Sequence, residues 1–297
     1  RLRFAPNCEI TLECNPGTVE YDRFESYLAA GVNRLSFGVQ SFDDGCLERL
    51  GRIHDAERAR AAVISAQDAG FANINLDLMY ALPQQSLAMA LNDVEQAIAL
   101  NPQHLSHYQL TLEPNTLFAA KPPAGIPEMD DAWDMQEACI ARMTEAGFSQ
   151  YEVSAYAREG RRCQHNLNYW TYGDYLGIGA GAHGKISSGH DGRILRHWKP
   201  KHPETYIASA GTQAGIGGGE FVLPENRPFD YMLNALRLVD GFSLADFELR
   251  TGLGRESINP QLDQAVQRGW LEISGDWAKP TELGMRFAND VMGLFLH

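Results

Sequence analysis

A repeated junction between helix and strand constrains the fold of this chain more than any other feature of its sequence. At each junction a helical segment stops at glycine or asparagine, and an apolar strand follows. Glycine or asparagine at this place can adopt the left-handed conformation that closes the last helical turn. The junctions lie at Gly31, Gly70, Asn101 and Gly147, and they predict strands over Arg34–Gln40, Asn73–Tyr80, His104–Thr111 and Gln150–Ala155.

The alternation of these strands with helices is typical of parallel β/α units. Glu9–Cys14 adds an earlier strand, and the spacing of apolar residues predicts helices over Arg58–Ala69, Leu87–Leu100 and Asp130–Ala146. Four or five strands are too few to close an eight-stranded barrel. We therefore expect the α/β fold class, with a partial (β/α) TIM-like barrel whose first β/α units are missing.

A shift in composition divides the chain into three predicted parts. The β/α pattern occupies residues 1–184, and residues 185–226 are rich in glycine, proline and charge, which predicts a loop-rich connector. Residues 227–297 contain three helical segments, a strand over Trp270–Ile273 and a final helix from Thr281, which resembles a winged-helix unit. This C-terminal part has seven basic and ten acidic residues, a net charge of −3 that opposes contact with DNA phosphates. A DNA-binding regulator is therefore the least favoured function.

The overall composition indicates a soluble globular protein. The 297 residues carry a formal charge of −13, which argues against general binding of nucleic acid. No apolar run approaches the length of a membrane-spanning helix, and the first residues lack the apolar core of a signal peptide. Five cysteines at irregular spacing do not form a disulfide pattern, so we expect a location in the reducing cytoplasm.

One segment, residues 163–184, carries an unusual density of side chains that could hold a flat, metal-containing ligand. It contains Cys163 and the run His165–Trp170, followed by the glycine-rich run Gly177–Gly184 that includes His183. The surrounding residues 158–202 hold eight basic and three acidic residues, a net charge of +5 in an acidic chain. A solvated loop would explain this excess, and so would an attractive field for a small anion.

Polar residues also mark the carboxyl ends of successive predicted strands, where β/α folds bind their ligands. Glu13, Gln40, Asp77 and Thr111 lie at or near these ends, and Arg52 follows Gln40 in the next helix–loop region. A carboxylate such as Glu13 can accept hydrogen bonds from a ribose diol. The guanidinium of Arg52 suits a carboxylate, so an amino-acid-bearing nucleoside would satisfy both.

Together these motifs resemble the HemN/HemW branch of the radical S-adenosylmethionine (SAM) proteins, and most closely the HemW heme chaperones. The resemblance runs nearly end to end, and its most specific segment is His165–Trp170. The matching segments are Glu9–Gly17, Asn33–Phe42, Leu50–His54, Asn75–Met79, Leu112–Phe118, His165–Trp170 and Gly177–Gly184.

The resemblance implies a SAM site at the strand ends. Glu13 would contact SAM, and the positions that match contacts of a second SAM in the porphyrinogen oxidases are Gln40, Arg52, Asp77 and Thr111. The family also binds a [4Fe-4S] cluster through a C-x-x-x-C-x-x-C motif, a spacing that the five cysteines do not offer. We therefore expect the cluster ligands upstream of Arg1 and no metal site in this chain.

The resemblance further implies that heme is the cargo and that heme-accepting apoproteins are the partners. His165, Tyr169, Trp170 and His183 are the candidate heme-binding residues, although a local turn would also explain His165 and core packing would explain Trp170. We expect no nucleic-acid partner and no membrane-spanning segment. We also expect that the protein can associate peripherally with a membrane surface and can form a homodimer. The alternative is an enzyme, an oxygen-independent coproporphyrinogen III oxidase, for which we assign no catalytic residue.

Overall fold

The computed structural model describes residues 4–17 and 23–296 of the protein. The chain divides into two compact units, Arg1–Cys163 and Gln164–His297. This boundary lies before residue 184, where the sequence pattern had placed the end of the β/α part. The difference arises because the segment after Cys163 packs with the C-terminal half of the chain.

The first unit is built on a six-stranded sheet in the order β1-β2-β3-β4-β6-β5. The strands β1 to β4 are parallel, whereas β6 is antiparallel to both β4 and β5. The elements are β1 (Thr11–Cys14), α1 (Phe24–Ala29), β2 (Arg34–Gln40), α2 (Asp44–Arg49), α3 (Ala56–Asp68), β3 (Ile74–Tyr80), α4 (Leu87–Ala99), β4 (His104–Gln109), α5 (Leu117–Ala120), α6 (Met129–Glu145), β5 (Ser149–Glu152) and β6 (Ala155–Ala157).

The junctions predicted from the sequence are present in the structure. Gly31, Gly70, Asn101 and Gly147 have φ angles of 102°, 98°, 51° and 85°, the left-handed conformation expected after a helix. The fifth predicted strand, Gln150–Ala155, is wrong. Val153 and Ser154 form a turn there, and the residues on either side belong to the antiparallel hairpin of β5 and β6.

Alternation along the parallel strands gives the sheet one apolar face and one polar face. The apolar face packs against the helices and forms the core of the unit, which includes Leu35, Phe37, Leu76, Leu78 and Leu105 from the strands and Val63, Val94 and Met135 from the helices. The intervening residues, among them Ser36, Asn75, Asp77, Ser106 and Tyr108, therefore lie on the other face. This polar face is where the first candidate site is built.

The second unit combines two small sheets with helices. Its elements are α7 (Gln164–Trp170), β7 (His183–Ser187), β8 (Ile194–Trp198), α8 (Pro203–Ser209), β9 (Gly218–Phe221), α9 (Arg227–Ala235), β10 (Phe242–Ser243), α10 (Leu244–Thr251), α11 (Asn259–Gln267), β11 (Leu271–Ser274), β12 (Trp277–Pro280), α12 (Glu282–Arg286) and α13 (Ala288–Gly293). The helices α9 to α11 and the sheet β10-β12-β11 make the predicted winged-helix-like part.

The predicted loop-rich connector, residues 185–226, instead contains most of an antiparallel sheet, β7-β8-β9. Two glycines in the strands of this sheet lie beneath large rings. A Cβ on Gly184 would lie 2.3 Å from the His197 ring, and a Cβ on Gly218 would lie 2.4 Å from the Trp198 ring. Aromatic cover of this kind stabilises glycine within strands, so these two glycines are compatible with the sheet.

No helix in the described part of the chain is long and apolar enough to cross a membrane.

Candidate functional site

The first candidate site lies on the polar face of the parallel sheet, toward the carboxyl ends of its strands. Glu13 pairs in register with Ser36, and Asp77 pairs with Ser106 on the opposite side of β3. Thr111 lies two residues beyond the end of β4 and is exposed, with its hydroxyl donating to the carbonyl of Gln109 at 3.3 Å. Of the residues predicted at strand ends, Glu13 and Asp77 therefore lie on the sheet, whereas Thr111 lies on the loop after β4.

Asp77 is held in a buried hydrogen-bonded position. Its carboxylate accepts from Asn75 Nδ2 at 2.8 Å and from the Ser36 hydroxyl at 3.5 Å. Burial raises the pKa of Asp77, and the donors around it together with the charge of Arg34 partly oppose this shift. The site therefore contains a buried carboxyl group that hydrogen-bond donors on the same face of the sheet hold in place.

The side-chain amide of Asn75 joins several residues of this face, because both its nitrogen and its oxygen form hydrogen bonds within the protein. Its Nδ2 donates to Ser36 Oγ at 3.0 Å and to Asp77, so its Oδ1 is left to accept from His104 Nδ1 at 2.6 Å. His104 is consequently protonated on Nδ1, and its Nε2 accepts from the Tyr151 hydroxyl at 2.9 Å. Burial, and then the charge of Arg34, lower the pKa of His104 to about 3, so the ring is neutral.

Gln40 ends β2 in an unusual conformation. The pairing of β2 with β3 shifts between Phe37 and Gln40, and Gln40 has a φ of 70°, which is uncommon for a residue other than glycine. Its amide folds back over Gly38, where a Cβ would lie 3.0 Å from Gln40 Nε2. Its Oε1 accepts from the Tyr108 hydroxyl at 2.8 Å. Tyr108 lies outside the motifs found in the sequence, although its place on the polar face of β4 could have indicated it.

Charged groups of both signs surround the Tyr108 hydroxyl. Burial and the negative charges of Asp77 and Glu13 raise its pKa to about 12, while the hydrogen bond to Gln40 and the positive charge of Arg52 act in the opposite direction. Glu13 and Arg52 are both exposed, whereas Gln40 is buried. Of the five predicted SAM residues, Gln40 thus contacts Tyr108 directly. The charges of Glu13, Arg52 and Asp77 act on the same hydroxyl, and Thr111 has neither relation to it.

The second candidate site lies in the second unit, on helix α7. The exposed His165 ring packs edge-on against Tyr169, with 4.8 Å between centroids, and Tyr169 packs against Tyr175 at 4.5 Å. Trp170 lies beneath the guanidinium of Arg237, whose Cζ is 4.3 Å from the ring centroid. Tyr175 and Arg237, which the motif analysis missed, therefore support the two aromatic residues that it selected.

Close backbone packing fixes the end of α7. Gly173 N–H donates to Asn168 O at 2.7 Å, and a Cβ on Gly173 would lie 2.1 Å from Asn168 Oδ1. The buried Lys185 then ties this turn to β7, since its Nζ donates to the Tyr172 carbonyl at 3.0 Å and pairs with Asp174 at 3.1 Å. The aromatic segment and the strand that follows the glycine-rich run thus form one connected structure.

His183 begins β7 and is exposed, with its ring centroid 6.2 Å from that of Trp198. The glycine-rich run packs over the backbone of His183, because a Cβ on Gly177 would lie 2.2 Å from the His183 carbonyl oxygen. His183 therefore belongs to the β7–β8 pair, while His165 belongs to the aromatic cluster of α7.

The basic character of residues 158–202 is reduced by ion pairs. The pairs are Lys185 with Asp174, Arg193 with Asp191 and Arg196 with Asp230. Lys199 and Lys201 have no acidic partner in the described part of the chain. They flank Pro200, whose carbonyl accepts from Gly181 N–H at 2.9 Å, so they lie beside the glycine-rich run.

The cysteines of the described residues do not fit a [4Fe-4S] cluster. Between residues 4–17 and 23–296, no three His, Cys, Asp or Glu side chains are arranged to hold a metal ion. Burial raises the pKa of the Cys14 and Cys139 thiols to about 12, which opposes the thiolate form that binds iron. We therefore derive no chemistry of this chain from a cluster.

The comparison with protein families and solved structures agrees with this architecture. The Radical SAM superfamily matches residues 1–97, and the HemN C-terminal domain matches residues 222–287. The solved structure of coproporphyrinogen III oxidase (HemN) from Escherichia coli, a radical SAM enzyme, covers 99% of this chain with a TM-score of 0.79 at 22% identity. The match covers 70% of that protein. It confirms the predicted fold class, a partial radical SAM barrel with a C-terminal helical domain.

The relatives with 33% to 49% identity indicate to which branch of the radical SAM proteins this chain belongs. Heme chaperone HemW of Escherichia coli (strain K12) is 49% identical over 296 residues, which are 100% of this chain and 77% of that protein. The HemW protein of Haemophilus influenzae is 46% identical, and the match covers 100% of this chain and 76% of the relative. The HemW protein of Bacillus subtilis (strain 168) is 33% identical, and the match covers 97% of this chain and 76% of the relative. At this identity and coverage, the chain belongs to the HemW family within the radical SAM superfamily.

Proposed function

We propose that the protein is a heme chaperone, which binds heme and delivers it to apoproteins. The observation that carries the proposal is the exposed imidazole of His165 beside Tyr169, on a helix whose end is fixed by close packing. Imidazole is a common axial ligand of heme iron, and aromatic rings can pack against the macrocycle. The three relatives described above, which are named heme chaperones, support the same function over that of a porphyrinogen oxidase.

The heme propionates are proposed to meet Lys199 and Lys201. These two cations lie beside the glycine-rich run and near the start of β7, where His183 is exposed. Lys185, Arg193 and Arg196 are not proposed for this role, because their charges are already paired with carboxylates. Ammonium groups attract carboxylates with little demand on geometry, so two lysines suit flexible propionates.

SAM is proposed to bind at the carboxyl ends of β1 to β4. Glu13 and Asp77 offer carboxylates to hydroxyl or ammonium donors, and Arg52 offers an exposed guanidinium to a carboxylate. When bound, SAM together with a reduced cluster supplies radical chemistry in this superfamily. The residues of this chain would bind and orient SAM, and all five assignments are proposals, with Thr111 on the loop beyond β4.

Several expectations from the sequence remain predictions. They are the cytoplasmic location, the homodimer, the peripheral contact with a membrane and the heme-accepting apoproteins as partners.

Heme titration of the purified protein, followed by its absorption spectrum, tests the chaperone proposal. We expect the His165→Ala variant to bind heme at least about tenfold more weakly than the unmodified protein, with an altered Soret band, because an iron ligand is removed. His190→Ala is the matched control, since His190 is an exposed histidine in the same unit. Equal spectra and affinities for the two variants would remove His165 from the site.

An activity assay tests the alternative. The complete protein, reconstituted with iron and sulfide and supplied with SAM, is expected to leave coproporphyrinogen III unchanged. Clear decarboxylation of that substrate would overturn the chaperone proposal in favour of the oxidase.

A further inference from the structure

We infer that Tyr108 is a positioning residue of the SAM site, which orients the Gln40 amide so that its NH₂ group meets the carboxylate of the ligand. The inference deepens the proposed function and rests on the proposal that SAM binds at the carboxyl ends of the strands. It concerns a residue that lies outside the matching motifs.

The hydrogen bond between Tyr108 and Gln40 fixes the direction of the amide. Gln40 Oε1 is 2.8 Å from the Tyr108 hydroxyl, and an amide oxygen can only accept. The hydroxyl therefore donates its one proton to Gln40. An amide has one oxygen and one nitrogen on opposite sides of the same carbon, so holding the oxygen also determines where the nitrogen points.

The nitrogen of this amide is available to a ligand. Gln40 Nε2 has no hydrogen-bond acceptor in the part of the chain that the structure describes. Gln40 as a residue is buried, but its Nε2 is not among the fully buried side-chain atoms that lack a partner, so this nitrogen can be reached by an acceptor on a ligand. Because the oxygen is occupied by Tyr108, the site presents donors there and no acceptor.

Backbone geometry shows that this orientation is built into the fold. The shift in strand pairing before Gln40 and its φ of 70° turn the side chain back over Gly38. The left-handed conformation is unfavourable for a residue other than glycine, so the surrounding structure must hold Gln40 in it. The bond to Tyr108 joins β2 to β4 across the intervening β3, so it also holds the ends of three strands together.

The charge of Arg52 indicates which group of the ligand accepts the hydrogen bonds of the Gln40 amide. Arg52 is exposed and makes no ion pair in the described residues, and its charge acts on the Tyr108 hydroxyl. The amide donors and the guanidinium together suit an anionic acceptor, while the Asp77 carboxylate on the same face of the sheet suits a hydroxyl or ammonium group of the ligand. The carboxylate of the methionine part of SAM is the anionic acceptor in question.

Calorimetric binding of SAM to the complete protein tests this inference through a double-mutant cycle. Tyr108→Phe removes one hydroxyl and keeps the ring, and it is expected to weaken SAM binding about 5- to 10-fold, the effect of one lost hydrogen bond. Gln40→Ala is expected to weaken binding by at least as much. The double variant should bind no more weakly than Gln40→Ala, because Tyr108 acts through Gln40.

A second ligand and a second variant make the test specific. 5′-Methylthioadenosine lacks the carboxylate, so its affinity should be unchanged in all of these variants. Gln40→Glu keeps an oxygen for Tyr108 and places a negative oxygen toward the ligand, so it should weaken SAM more than Gln40→Ala and leave methylthioadenosine unaffected.

The outcomes separate this inference from the proposed site. If Gln40→Ala weakens SAM while Tyr108→Phe does not, the role of Tyr108 is refuted and the SAM site stands. If the fold-losses of SAM affinity in the two single variants multiply in the double variant, Tyr108 acts independently of Gln40, which also refutes the inference. An equal loss of methylthioadenosine would overturn the assignment to the carboxylate. If Gln40→Ala leaves SAM binding unchanged, both the inference and this part of the proposed site fail.

Discussion

Acid sensitivity of the first unit should depend on a histidine that plays no part in either site. His107 lies on the apolar face of β4, buried between Tyr80, stacked at 4.6 Å, and Tyr156, edge-on at 6.4 Å. Its Nδ1 is buried and has no hydrogen-bond partner in the described residues. Burial lowers the pKa of His107 to about 3, so the folded protein keeps this ring neutral well below pH 6.

The difference in pKa between the folded and unfolded states sets the size of the effect. The unfolded chain binds a proton at its ordinary histidine pKa of about 6.5, whereas the folded chain does so only near 3. The stabilising contribution of neutral His107 is therefore complete above pH 6.5 and is lost as the pH falls. At pH 5 the loss from this residue is about 2 kcal/mol, since each pKa unit corresponds to about 1.4 kcal/mol.

The variant His107→Phe tests this reasoning, because it keeps an aromatic ring against Tyr80 and cannot be protonated. Urea unfolding at pH 7.5 and pH 5.0, followed by circular dichroism, gives the free energy of unfolding of each protein. We expect His107→Phe to gain about 2 kcal/mol relative to the unmodified protein between these pH values. The comparison cancels the opposite contributions of Asp77 and Asp93, whose pKa values are raised by burial.

Exposed His190 provides the control, since His190→Phe should leave the pH dependence as it is. Parallel pH profiles for His107→Phe and the unmodified protein would show that the buried ring is not responsible for acid sensitivity, and the linkage argument would be wrong.

Three further predictions concern the loop after Gln40, the end of α7 and the proposed propionate contacts. Asp93→Ala should lower the free energy of unfolding, measured by urea unfolding, by about 3 kcal/mol. The reason is that Phe42 N–H, Ser41 Oγ and Gln85 Nε2 lose their buried acceptor. The control is Asp134→Ala on α6, which should have little effect because Asp134 is exposed. Gly173→Ala should weaken heme binding because its methyl group would overlap Asn168, whereas Gly189→Ala, which meets no atom within 4 Å, should bind heme normally in the same titration. Replacing Lys199 and Lys201 together by Gln should weaken heme but not heme dimethyl ester, and equal losses for both ligands would contradict the propionate contacts.

The helix stops of the first unit could be predicted because each depends on local sequence. The helix stops at Gly31, Gly70, Asn101 and Gly147 need only a residue that tolerates positive φ, and all four adopt it. The hairpin of β5 and β6 could not be predicted in the same way. Its turn at Val153 and Ser154 carries no glycine or proline, and its direction depends on pairing with β4.

The candidate sites show the same division between local and tertiary information. Glu13, Gln40 and Asp77 could be selected because each ends or faces a strand. Tyr108 acquires its role only through Gln40, which is 68 residues away in the chain and reaches it by an irregular backbone turn. The excess of basic residues in 158–202 is smaller in the structure than in the sequence window for a related reason, since Asp230, which pairs with Arg196, lies outside that window.

The polar face of the sheet is divided between groups that are satisfied internally and groups that are left for a ligand. Asn75 uses both amide hydrogens and its oxygen within the protein, and His104 uses both ring nitrogens. Groups of this kind fix positions but have nothing further to offer a ligand. Gln40 Nε2 at the end of β2 and the exposed Arg52 between α2 and α3 keep donors that the described residues do not use. Because the bond to Tyr108 holds the Gln40 amide in one orientation, a ligand with a suitable acceptor meets these donors without first reorganising the side chain. The rigid centre of the face and the incomplete edge are thus two parts of one binding surface.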